Sequence, residues 1–323
     1  VNSFKDEKGK EDKHKADISS VRKIEDDILK LRRDRGIDKM NFYIPVSKQN
    51  KYSNFTELDL RKDKNIYKWT MADGYQTLGN NWDIQYKIER EYHKEKKGEK
   101  LSSYVWDNEI SFVRLNRGFK IGNQPINYRS IIGVKHSETD TKLSKRNADY
   151  KFYIGQRLSA FFSNVGAGGT YGELEISLNG VKGSKRNGYS ILTSLKSSST
   201  LGYGFQWSNT LENEYMDYNN YKGAIRSKME SILRWTYELG RNWAFSPEIS
   251  IKAEKYFSIN EKNYTFEAVA APYILYSQNI TDKFRVYAKA GPTYRVDKSR
   301  YGETKENKTK FAGYAKLGIE YIF

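Results

Sequence analysis

Taken in twos back from the last position, the chain reads Phe323, Tyr321, Ile319, Leu317, Ala315, Gly313 and Phe311, while the residues between are Ile322, Glu320, Gly318, Lys316, Tyr314, Ala312 and Lys310. The first set is apolar and the second mostly polar. Successive side chains of a strand point to opposite faces, so this segment meets oil on one side and something wetter on the other. The same beat recurs upstream. Trp82, Ile84, Tyr86 and Ile88 alternate with Asp83, Gln85, Lys87 and Glu89, and Tyr150, Phe152, Ile154 and Leu158 with Lys151, Tyr153, Gly155 and Arg157. Leu201, Tyr203, Phe205 and Trp207 alternate with Gly202, Gly204, Gln206 and Ser208, and the run from Phe284 to Asp297 does the same. Roughly fourteen such segments follow one another from about Asn54, many near the ~9 to 11 residues a tilted strand needs to span a bilayer. Strands of soluble proteins average only ~5 to 6 residues. The expected fold is all-β: a transmembrane antiparallel up-and-down β-barrel of about 14 strands over 51–323, with a short N-terminal helical extension.

Composition is compatible with this and excludes other classes. Mean hydropathy is -0.83, and no 18 consecutive residues are apolar, which rules out transmembrane helices and an uncleaved signal peptide. A barrel offers lipid only every second residue and can be hydrophilic on average. The start at Val1, without an initiator Met, fits a mature protein whose signal has been removed and equally an arbitrary chain boundary. Cysteine is absent, so disulfides, thiol catalysis and cysteine zinc sites are excluded. The 26 Tyr, 15 Phe and 6 Trp suit interfacial aromatic girdles. A net charge of +16 first suggests nucleic acid. Its spread over nearly every loop, with acids mixed in, argues against a nucleic-acid partner. Solvated lysine-rich loops, or loop cations meeting anionic lipopolysaccharide or sugars, are the two readings left.

Residues 1–50 differ from the rest. Up to Lys15 they are charged or small, the pattern of a disordered arm. Ile18, Val21, Ile24, Ile28 and Leu31 then recur at helical spacing over about 17–35, between a capping Asp17 and a closing Gly36. This extension reads as a periplasmic linker, a lumenal plug or an oligomerisation stripe. Downstream, Ala224 to Gly240 reads as a strand that would also serve a helix, and its neighbours favour the strand. Short turns near Gly79 to Asn81, Gly122 to Gln124, Asn164 to Gly169, Ser197 to Thr200, Gly240 to Asn242 and Asn279 to Lys283 alternate with longer charged loops near His93 to Ser103, Glu138 to Ala148, Gly180 to Gly188, Asn213 to Gly223, Phe257 to Asn263 and Lys298 to Thr309. Short periplasmic turns with longer outside loops are the asymmetry of an outer-membrane barrel, and an even strand count puts the N-terminal extension on the periplasmic side.

The phase of the alternation sends Arg129, Lys135, Lys151, Arg157, Arg226, Lys228, Arg234, Arg285, Lys289 and Arg295 inward, with the acids Asp83, Glu89, Glu173, Glu175, Glu230, Glu248, Glu254 and Glu267. Either these pair and hydrate the wall, or the bases form a track that favours anions, as charged rings do in other pores. A barrel of this size lies between small filled barrels and open 16 to 18-stranded porins. Catalytic signals are weak. His14, His93 and His136 show no metal-ligand spacing, so neither metal nor cofactor is expected. Ser130 and His136 share a face, but six residues of strand hold them ~20 Å apart. No enzymatic role is expected.

With its lysine- and tyrosine-rich alternating strands, Gly/Asn turns and the closing run Gly313-Tyr314-Ala315-Lys316-Leu317-Gly318-Ile319-Glu320-Tyr321-Ile322-Phe323, the chain resembles the general porins typified by the fusobacterial major outer-membrane porin. The likeness covers about Asn54 to Phe323. Small anionic-oligosaccharide porins with arginine-lined lumens are a second similar family. The resemblance implies a bacterial outer-membrane location among its lipids and lipopolysaccharide, passive diffusion of small hydrophilic solutes, and a role in adhesion. It also implies that Tyr321 and Phe323 form the assembly signal read by the barrel-assembly machinery. Homo-oligomers are compatible with it. Two alternatives stay open: the translocator barrel of an autotransporter, expected to have about twelve strands, and a non-conducting adhesin.

Overall fold

The computed structural model describes residues 50–96, 102–141, 144–164, 168–184, 186–219, 221–258, 261–301 and 304–323. The helix expected at 17–35 lies outside the described residues. Within them the chain runs through β1 (Lys51–Leu60), β2 (Lys64–Gly79), β3 (Trp82–Glu95), β4 (Ser103–Ile121), β5 (Gln124–Thr141), β6 (Ser144–Asn164), β7 (Gly168–Gly183) and β8 (Asn187–Gly202). It continues through β9 (Phe205–Tyr218), β10 (Tyr221–Trp235), β11 (Tyr237–Gly240), β12 (Trp243–Ser258), β13 (Glu261–Asn279), β14 (Phe284–Tyr301) and β15 (Thr304–Ile322). β10 and β11 are one wall strand interrupted at Thr236, since both pair with β12. Every other strand pairs antiparallel with its sequence neighbours, and β1 pairs with β15 from Lys51 opposite Ile322 to Leu60 opposite Gly313. The sheet is therefore a closed antiparallel barrel of 14 strands. Closure leaves no sheet edge unpaired, as a strand structure in lipid requires.

Side chains sort by face as the alternation demands. Phe152, Ile154 and Leu317 are 59%, 56% and 58% exposed, whereas Glu173 and Arg157 are 3% and 8% exposed. That inverts the soluble rule and suits a wall whose outside is apolar solvent. One compact apolar cluster of Val181, Met216, Tyr218 and Ala224, with Tyr256 against it, lies inside among these charges.

The strands are tilted. A single row of cross-strand partners runs Ala288, Leu317, Thr56, Trp69, Arg90, Trp106, Glu138, Ala148. It begins near the start of β14, at the end of the barrel that carries Asn50 and Phe323, and finishes near the start of β6 at the opposite end. Rows perpendicular to tilted strands climb a barrel in this way.

At the end where Phe323 N–H donates to the Asn50 carbonyl at 3.0 Å, the connections are tight. Gly79, Asn80 and Asn81 have φ of 87°, 48° and 64°, and Gly240, Arg241 and Asn242 have 92°, 45° and 71°. Both fall where the Gly/Asn signals put them. The expected strand across Leu201 to Ser208 is corrected. Ser197 to Thr200 continue β8, and the chain reverses at Gly202, Tyr203 and Gly204, with φ of 85°, 49° and 82°. Two glycines permit this left-handed run. Tyr203 between them, 97% exposed, imitates a strand residue in the sequence.

At the far end, the long charged loops are also corrected. Much of several is strand: β5 runs to Thr141 and β6 starts at Ser144, while β14 runs to Tyr301 and β15 starts at Thr304. Cross-strand hydrogen bonds carry these hairpins outward. A turn at residues 61–63, unanticipated, joins β1 to β2. Its Asp63 accepts a hydrogen bond from Lys310 Nζ at 2.6 Å. Burial pushes the Asp63 carboxyl up, but the hydrogen bond and charge of Lys310 outweigh it and hold the group below the usual carboxylate range.

Candidate functional site

The inner wall concentrates the polar chemistry. Register places all ten bases named above on one face, together with Asp83, Glu89, Glu173, Glu175, Glu230, Glu248, Glu254 and Glu267. Nine of the ten bases sit in ion pairs. Arg157 holds Glu175 at 2.7 Å and Glu173 at 3.4 Å, and Arg234 and Lys289 share Glu248 at 2.5 and 3.1 Å. Arg285 meets Glu320 at 2.7 Å, and Arg295 meets Glu267 at 2.5 Å and Asp59 at 3.3 Å. Arg226 meets Glu214 at 2.8 Å, and Lys228 meets Glu212 at 3.5 Å. The tenth, Arg129, donates to Ser159 Oγ at 2.6 Å. Charges taken from bulk water need such partners, because an unpaired one pays its desolvation uncompensated.

Two bases are held more loosely. Lys135 and Lys151 stand directly opposite each other on β5 and β6, an arrangement of like charges that is unfavourable across a strand pair. Their nearest acids are Asp107 at 3.6 Å and Glu214 at 4.0 Å. They also mark where two inner cavities meet. One, of about 410 Å³, extends from Asp73 on β2 to Lys196 on β8; the other, of about 630 Å³, extends from Lys135 to Thr265 on β13.

Residues outside the sequence-derived set complete the wall. Lys51, Glu57, Lys68, Lys196, Glu212, Glu214, Lys316 and Glu320 all join ion pairs inside. The alternation of β15 already carried Lys316 and Glu320. β2 hid its share because a bulge near Met71 shifts the register between Thr70 and Ala72, and a one-residue slip swaps the faces.

Tyrosine is divided between the two faces, which aromatic content alone does not reveal. Tyr153 O–H donates to Glu109 at 2.6 Å, Tyr171 to Glu173 at 2.9 Å and Tyr314 to Glu57 at 2.6 Å, all inside. Some inner rings lie over glycine. A Cβ on Gly318 would come within 2.6 Å of Tyr287 and of Phe55, and one on Gly133 within 2.4 Å of Tyr153. Ring over glycine fills space that neither residue fills alone.

The outer face has its own order. Cross-strand pairs Trp82 with Arg114 and Arg90 with Trp106 both lie on the outside of β3 and β4, with each guanidinium over its indole at 5.6 and 5.3 Å. Eight strand residues apart at ~3.3 Å each, and tilted by ~45°, they stand roughly 19 Å apart in height. Isoleucine, phenylalanine and tyrosine fill most of the space between. An arginine facing the lipid midplane costs ~2 to 4 kcal/mol and far less near an interface, so the two pairs bracket the apolar band.

Ser130 and His136 stay apart on this face. Ser130 Oγ bonds Asn116 at 2.6 Å and Gln156 at 3.0 Å, while His136 lies 3.4 Å from Asn108, 3.7 Å from Glu138 and against the Tyr150 ring. His93 bonds Glu91 on the inner face. His14 lies outside the described residues. Among the described residues no group of three or more His, Cys, Asp or Glu is arranged to hold a metal ion.

No protein-family model and no curated protein matches the chain. Among solved structures it is similar to the anion-selective porin of Comamonas acidovorans, at 9% identity over 85% of this chain and 98% of that one, with a TM-score of 0.39. It is also similar to the transport unit of the autotransporter AIDA-I from Escherichia coli, at 13% identity, 88% and 92% coverage and a TM-score of 0.39. The outer-membrane-expressed OmpT of Vibrio cholerae is a third, at 11% identity, 85% and 97% coverage and a TM-score of 0.37. The fold is that of a bacterial outer-membrane β-barrel, a class that rests on closure, the apolar exterior and the charged interior rather than on these scores.

Proposed function

We propose that the barrel is an outer-membrane channel for passive diffusion of small hydrophilic solutes, with the first 50 residues on the periplasmic side. The observation that carries this is the inner wall, polar and charged along the strands and enclosing cavities that meet at Lys135 and Lys151. A wall of matched ion pairs supports a weaker anion preference than an unpaired basic track would. In this reading the preference resides at those two lysines, whose acids are most distant. Tyr321 and Phe323, with rings stacked at 5.4 Å on the closing strand, would present the assembly signal.

The test is purified protein in a planar bilayer across a KCl gradient. The expected result is a stable conductance whose reversal potential favours chloride modestly, shifting toward potassium in a Lys135→Glu, Lys151→Glu double variant. A clear cation preference in the parent would remove the selectivity claim. Absence of conductance would remove the channel and favour the non-conducting adhesin, a reading kept in view by the burial of Arg157 and Glu173. The translocator reading loses ground to the strand number, 14 rather than about twelve.

A further inference from the structure

Arg90 is an outward-facing cation to which the described residues supply no ion-pair partner. It is exposed on the outer face of β3, between Trp69 on β2 and Trp106 on β4. Its guanidinium lies 5.3 Å from the Trp106 ring centroid, and among the described residues no acid is within ion-pair distance of it. Arg146 lies 5.9 Å from the same ring. Its side chain is 66% exposed even though it holds the buried Glu138 at 2.5 Å. One indole therefore carries two guanidinium groups, both open to the surroundings, toward the hairpin end of the outer wall.

A groove of about 810 Å³ leads away from Arg90 and Trp106, with Arg146 beyond its upper rim. Trp69, Trp106, Tyr92 and Tyr104 border its upper part, and its far part is floored by Ala288, Ala290 and Ala315. The climbing row of cross-strand partners sets its direction. Arg90 stands near the level where the apolar band ends, and the alanines lie lower, toward the end that carries Asn50 and Phe323. Polarity thus runs cation, aromatic, aliphatic along one continuous trough, from the interface into the bilayer.

We propose that this groove binds a phosphorylated, acylated sugar lipid of the outer leaflet. Its phosphate sits between Arg90 and Arg146, its sugar against the flat faces of Trp106 and Tyr104, and an acyl chain runs down to the alanines. Guanidinium forks match phosphate oxygens with paired N–H donors, and aromatic faces next to cations favour the same amphipathic head. A lipid with its head at the hairpin end would have the outer-leaflet orientation, so the proposal rests on the outer-membrane reading. The small residues leave room for a chain where bulky outward side chains elsewhere on the wall would fill it.

The test is native mass spectrometry of the detergent-folded protein titrated with diphosphorylated lipid A and, separately, with phosphatidylethanolamine. The parent is expected to retain lipid A, with Arg90→Gln and the groove-filling Ala315→Phe each weakening it by roughly tenfold, the scale of one lost strong contact. Arg114→Gln, at the opposite aromatic level, is expected to bind as the parent does. Equal retention by Arg90→Gln and the parent would overturn the site, as would equal binding of phosphatidylethanolamine. A lipid-free dimer peak that disappears in Ala315→Phe would assign the groove to a second copy and overturn it as well. Heat-dependent gel mobility is read on every variant. A parent that fails to shift on boiling would sink the membrane-barrel reading itself, whereas a shifting parent with unaltered Arg90→Gln binding would sink only the site.

Discussion

Tyr203 occupies left-handed backbone at φ 49° and is almost wholly exposed. A residue with a Cβ pays about 1 to 2 kcal/mol there, and asparagine tolerates the region better. Tyr203→Asn is therefore expected to stabilise the folded barrel by part of that cost, about 0.5 to 1 kcal/mol, read as a higher urea midpoint after refolding in micelles. An unchanged or lower midpoint would contradict strain at this turn. Gly318 is the opposite case, an extended residue whose missing side chain makes room for Tyr287 and Phe55. Gly318→Ala should lower the same midpoint by an amount equivalent to about 1 to 3 kcal/mol, the usual range for overpacking, and no change would mean the ring moves aside freely. The turns at Gly79 and Gly240 were legible in the sequence because glycine followed by asparagine or arginine-asparagine breaks an alternating run. The requirement at Gly318 was not, because it depends on which residue register puts across from it.

Strands carry the inner wall as shared acids rather than isolated pairs. Glu248 on β12 takes Arg234 from β10 and Lys289 from β14, so one carboxylate ties three strands together. Truncating one member of a buried pair costs ~3 to 5 kcal/mol, and the partial exposure of these groups brings the expected loss for Glu248→Ala to about 2 kcal/mol. Unfolding of that variant should occur at distinctly lower urea, with Glu248→Gln in between; equal stability of all three would mean that water screens the trio completely. At this scale the sequence was informative where alternation is unbroken, as in β3, β6, β14 and β15. It failed where a bulge inverts the phase in β2 and where Tyr203 and Phe205 continue an aromatic beat through a reversal. Charged hairpins were misjudged as loops because charge beyond the apolar band says nothing about whether the backbone stays paired.

Over the whole molecule, one physical condition organises everything: hydrocarbon outside, polar matter inside, and no free edge between them. β1 and β15 satisfy the last part by pairing along the whole of β1. Deleting Lys51–Leu60 should therefore abolish the heat-dependent gel shift rather than merely weaken it, since the remaining sheet has two open edges. A retained shift would show that β2 and β15 can close without it.

The absence of cysteine makes the decisive measurement clean: single cysteines introduced one at a time from Tyr150 to Leu158 in lipid vesicles, each probed with a water-soluble thiol reagent and with a lipid-borne quencher of an attached fluorophore. Strict alternation is expected, with positions 152, 154, 156 and 158 quenched from lipid, position 150 outward at the interface, and positions 151, 153, 155 and 157 reached from water or shielded inside. Uniform labelling along the segment, or quenching of Lys151 and Arg157 positions by lipid, would contradict it.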